Sequence, residues 1–138
     1  MRETETAVQP RVTATLASVL IYALAAWSIR WFGIRAAYGL MRLLKTPPHA
    51  ARGSSDIDEA RALATLVDRA AWSTEPKSWC LTRSLALGLM LRLRGKPAHL
   101  IIGIRPMPLA GHAWVELAGV VINDDPRVKF VYKQIDAL

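Results

Sequence analysis

The run from Cys80 to Asp124 sets the tightest limits on what this chain can fold into. CLTRSLALGLMLRLR, Cys80 to Arg94, places leucine at positions 81, 85, 89 and 93, along one side of an α-helix. Gly95 is a natural stop, and Pro97 follows it. Three strand patterns come next: isoleucine-rich Pro97–Arg105, alternating His112–Ala118, and Val120–Asp124. The loop PMPLAG joins the first two, and Gly119 marks the turn into the third. A helix followed by an antiparallel meander is an α+β arrangement, with the helix expected to pack on a small sheet. The chain has 138 residues, enough for one domain with its own core.

Cys80 is the only cysteine. It excludes an intrachain disulfide, a CxxC pair and a multi-cysteine zinc site, and it fits a reducing, cytoplasmic setting. At a helix start, the free N–H groups and the positive dipole end stabilise a thiolate. The same N–H groups can receive a developing oxyanion. A free cysteine is also commonly just a small buried hydrophobe. His112 is the candidate base. A turn centred on Ala118 pairs positions that sum to 236, which sets His112 opposite Asp124 at about 5 Å between Cβ atoms. A carboxylate there orients the imidazole and supports its charged form. A one-residue shift brings Asp125 into that place. A strand histidine and a turn-forming NDDP segment are the structural alternatives.

The remaining histidines read differently. His49 lies in a proline loop and His99 in a strand. No HxxxH or HExxH spacing occurs, so neither a metal nor another cofactor is expected. Trp79 and Trp114 flank Cys80 and His112, either as core or as walls of a site.

Toward the N-terminus, Val12–Ile29 runs 18 residues without a charge, at the lower limit for a membrane span. The apolar pattern continues past Arg30, so two helices are expected, Val12–Trp31 and Ile34–Lys45, hinged near Gly33. A buried or partner-facing helix is the favoured reading, ahead of peripheral membrane contact and then a span. Thr46–Asp56 reads as a loop, with Ser55 or Asp56 capping a helix over Ile57–Ala71. The expected division is residues 1–55, N-terminal helices and linker, and residues 56–138, the catalytic core. A formal charge of +7, from 18 Lys+Arg against 11 Asp+Glu, favours acidic partners. There is no nucleic-acid motif, and aromatic residues are not interleaved with basic ones.

The Cys-Leu-x-Arg-Ser-Leu block from Cys80, the Arg-Gly-x-Pro-Ala turn from Arg94 and the His-Ala-Trp-Val-Glu strand from His112 carry a resemblance. Together they resemble the lasso-peptide leader peptidases, a branch of the transglutaminase-like superfamily. The resemblance covers Trp79 to about Tyr132. It implies a cysteine protease that cuts the leader from a lasso-peptide precursor, with Cys80 as nucleophile, His112 as base and Asp124 as its orienter. It implies no cofactor. As partners it implies the precursor peptide, a separate leader-recognition protein docking on the N-terminal helices, and the asparagine-synthetase-like cyclase. Arg83 and Ser84 match the motif without an assigned role. Two other readings stay open: another acyl transfer on the same scaffold, and a non-catalytic peptide-binding or membrane-associated module.

Overall fold

The computed structural model describes residues 9–45, 53–74 and 80–138. Most of the expected proline loop, His49 included, and the 75–79 segment with Trp79 lie outside the described residues. The chain is α+β. Helices α1 (Gln9–Phe32), α2 (Ile34–Leu43), α3 (Ser54–Thr74) and α4 (Cys80–Leu93) precede strands β1 (Ala98–Pro106), β2 (Leu109–Leu117) and β3 (Val120–Val121). A short α5 (Val128–Val131) and β4 (Lys133–Ala137) complete it. The sheet is antiparallel in the order β3-β2-β1-β4.

The two N-terminal helices break where expected. Gly33 has φ 61°, a left-handed conformation that a side chain resists. Helix α1 is apolar on every side, but it uses only one. Ser18, Tyr22, Ala25 and Ser28 are buried, in a helix packed on α3 and α4. Leu16, Leu20, Leu24, Trp27 and Trp31, spaced three or four apart on the other side, are 51% to 70% exposed. Thr15–Phe32 is long and apolar enough to cross a membrane by length and composition alone. Only 22% of that stretch is buried inside the fold.

Helix α3 starts at Ser54, earlier than the expected Ile57. Ser55 and Asp56 therefore sit within its first turn rather than capping it. Asp56 gains an ion pair there: Lys96 Nζ, just past α4, lies 2.7 Å from its Oδ1 and 3.1 Å from Glu59 Oε2. Ala60, Leu63, Ala64, Val67, Ala70 and Ala71 form the buried side of α3, and the alanines let neighbouring helices approach closely.

Helix α4 is central. Residues from Ser84 to Arg92 are buried without a break, so it has no solvent face over two turns. Buried Arg92 closes the far end of α2. Its Nη1 donates to the carbonyls of Met41 and, at 2.9 Å, Leu44, while Nε donates to Ala98 at 3.0 Å. A cation on unsatisfied C-terminal carbonyls suits both the hydrogen bonding and the helix dipole.

The sheet has two differently covered faces. Leu100, Ala113, Val115 and Leu117 join the main core under the helices. Ile101, Trp114, Val121 and Val128 form a second cluster, with Tyr132 against it. The expected six-residue loop before β2 shrinks to Met107–Pro108, a cis peptide, and both strands extend into the rest. The β2–β3 turn is two residues, Ala118 at φ 52° and Gly119 at φ 77°, a pair of positive values that matches strand twist. It pairs Glu116 with Val121 and Leu117 with Val120, positions that sum to 237 rather than the expected 236. The expected third strand to Asp124 is cut short after Val121.

Candidate active site

Cys80 is the first residue of α4. Its N–H has no partner within the helix, as for any residue of a first turn. The side chain is half-buried against the main core. One turn on, the Ser84 hydroxyl donates 3.0 Å to the carbonyl of Ala113. Residues four apart share a helix face, so the side of α4 bearing Cys80 is the side turned toward β2.

His112 lies in β2, paired with Gly103 of β1. Its Nε2 is 2.5 Å from Asp124 Oδ2, and the other carboxylate oxygen accepts 2.7 Å from the Asp125 N–H. The carboxylate is thus held from both ends. Both side chains keep partial solvent contact, 23% for His112 and 28% for Asp124. Because Nε2 faces the carboxylate, Nδ1 is the nitrogen left for other chemistry. The Tyr132 ring stacks on the imidazole with centroids 4.9 Å apart, and Trp114 lies 6.1 Å away. Gly103 makes room for this group. A Cβ there would come within 2.9 Å of both the Trp114 ring and Tyr132 Cβ.

The His112–Asp124 contact therefore exists, but it does not arise from the expected register. Continued ladder pairing at a sum of 237 would face His112 with Asp125. The chain instead leaves the ladder after Ile122, whose N–H still reaches Val115 O at 2.9 Å. Asp125 is committed elsewhere, gripped by the Arg127 guanidinium and backbone N–H at 2.7–3.2 Å. That grip pulls its carboxyl down to about 2. Among the described residues Cys80 makes no hydrogen bond with His112 or Asp124; its side chain packs against the main core. Of the flanking tryptophans, Trp114 is buried and donates 2.9 Å to Glu116.

Two groups missed in the sequence border the site. Tyr132 stacks on His112, yet nothing in its local pattern marks it. Asn123 bonds the Val115 N–H and the Ser84 hydroxyl. Nearby, Arg83 Nε lies 3.0 Å from Asp68, whose carboxyl is raised by burial against the opposing pull of the Arg83 charge. Among the described residues no cluster of three or more His, Cys, Asp or Glu is placed to hold a metal.

A helix opened by a cysteine packs on an antiparallel sheet whose histidine is clasped by a carboxylate, an α+β arrangement. The chain belongs to the transglutaminase-like superfamily, whose model matches residues 19–136. It is also similar to the microcin J25-processing protein McjB of Escherichia coli, 51% identical over 53 residues. That stretch is 38% of this chain and 26% of McjB, so the chain matches about a quarter of the length of this curated relative. No solved structure matches.

Proposed function

We propose that the protein is a cysteine peptidase that removes the leader from a lasso-peptide precursor. The observation that carries this reading is the His112–Asp124 contact on the strand that faces the Cys80 helix. The similarity to a microcin-processing protein supplies the substrate class. In the proposed cycle the Cys80 thiolate attacks the scissile carbonyl. The Cys80 N–H, which has no acceptor within its own helix, and one further donor hold the oxyanion. His112 passes its proton to the leaving amine, so the C–N bond breaks and a thioester remains. Water, deprotonated by His112, then releases the leader acid. Asp124 keeps the imidazole oriented and supports its positive charge.

Residues 1–55 serve in this proposal as a docking region, with the exposed side of α1 offered to a separate leader-recognition protein. The lasso cyclase acts on the freed amine. Incubation of Cys80→Ala with a lasso precursor and its leader-binding partner tests the reading by mass spectrometry. The variant is expected to keep its fold and to release no leader. Persistent cleavage rejects the assignment. A product carrying an added amine, instead of water, selects the other acyl transfer that this superfamily scaffold supports.

A further inference from the structure

Among the described residues, the short β3 leaves the edge of β2 beside the site without a strand partner. In an antiparallel ladder, alternate residues turn their N–H and C=O groups to the same neighbour. Val115 O goes to Ile122 of the β3 segment, so Val115 and Ala113 face that edge. Beyond Ile122 no strand continues, and two side chains take its place. Asn123 Oδ1 accepts from Val115 N–H at 2.8 Å. The Ser84 hydroxyl donates to Ala113 O at 3.0 Å and accepts from Asn123 Nδ2 at 3.0 Å. Ser84 is completely buried, with its hydroxyl used as both donor and acceptor. The tip of α4 thus occupies the place that a longer β3 would fill.

Each end of this relay is next to a residue of the proposed triad. Ala113 follows His112, Asn123 precedes Asp124, and Ser84 is one helical turn from Cys80. Arg83 braces the same point, with Nη2 3.5 Å from the Asn123 carbonyl and Nε paired to Asp68 of α3. We propose that Ser84 and Asn123 are positioning residues that hold the thiol helix and the His112–Asp124 pair in one frame. The proposal rests on the Cys80–His112–Asp124 reading. It gives Ser84, matched by motif alone in the sequence, a physical task.

The test needs no precursor. The rate of Cys80 alkylation by iodoacetamide is measured from mildly acid to mildly alkaline pH in the parent protein, His112→Ala, Ser84→Ala and Asn123→Ala. Circular dichroism and thermal melting follow the fold. His112→Ala is expected to change the pH profile, because it removes the imidazole that the thiol is proposed to meet. Ser84→Ala and Asn123→Ala, still folded, are expected to move the profile in the same direction. Their neutral-pH rate should fall about tenfold, a loss typical of small misplacements. A structural role alone lowers the melting temperature and leaves the profile as in the parent. That result overturns the relay while the triad reading stands. An unchanged profile in His112→Ala rejects the thiol–imidazole pairing, and the relay with it. Should Ser84→Ala fail to fold, Asn123→Ala at its half-buried loop position decides the question.

Discussion

Two adjacent aspartates show how much turns on single side chains. Asp124 and Asp125 were both open as partners of His112, and sequence spacing separated them by one residue of register. The structure separates them by their bonds: Asp124 holds His112, and Asp125 holds Arg127. Asp124→Asn is expected to lower leader cleavage by roughly 10²–10⁴, since an amide NH2 turned to Nε2 selects the wrong tautomer and the amide carries no charge to support the imidazolium. Asp125→Asn should leave the rate within about twofold, as expected of an exposed pair. Steady-state cleavage of a lasso precursor compares them directly. A hairpin turn at Gly119 narrowed the partners of His112 to these two aspartates, but the ladder as formed points to Asp125, so spacing alone did not choose Asp124. The route to Asp124 was not legible, because Asn123 diverts the chain by bonding β2 with a side chain where a backbone pair was expected. Alternation in VVIND carries no sign of that substitution.

Among the elements, α1 to α4 and the first two strands were readable from periodicity, glycine stops and proline, and β3 was read too long at its end. The short α5 and β4 were not readable. Lys133–Ala137 is an edge strand, with four of five residues exposed, so it lacks the apolar alternation that betrays a strand. Its place against β1 is fixed by tertiary pairing, and Tyr38 of α2 secures it with a 2.5 Å hydrogen bond to Asp136. The end of α4 is tied to α3 by Lys96, and here pH matters. The Lys96 hydrogen bond holds the Glu59 carboxyl below its usual 4.5, and hydrogen bonding to Asp56 holds Lys96 above its usual 10.5. A depressed acid stabilises the fold above its unfolded pKa and stops doing so as pH falls through the folded one. A raised lysine stabilises below its unfolded pKa and stops as pH rises through the folded one. Lys96→Met should therefore cost about 1–2 kcal/mol near neutral pH, for a pair only partly shielded from water. The difference from the parent should shrink in acid, as Glu59 is neutralised. Urea midpoints at neutral and acid pH measure both.

For the molecule as a whole, α1 is the element whose sequence reads in several ways and whose structure uses one side. A helix apolar all round gives the same pattern in a large core, in a bilayer or in a complex. Periodicity could not say which half of Val12–Ile29 faces inward, because both halves are apolar. Tyr22 and Ala25 prove to be core, while Trp27 and Trp31 are left outside. The double variant Trp27→Ser, Trp31→Ser should change folding stability by no more than about 1 kcal/mol, since both rings are exposed. Binding of the leader-recognition partner should be lost. Calorimetric titration together with thermal melting separates the two effects, and retained binding would count against docking on this side.

The ring stacked on His112 has a consequence for timing. A polypeptide is made from its amino end, and here Cys80 and His112 both emerge before Tyr132 and the strand that covers the outer edge of β1. Until those residues arrive, the His112 imidazole lacks the ring stacked on it and β1 lacks its outer neighbour.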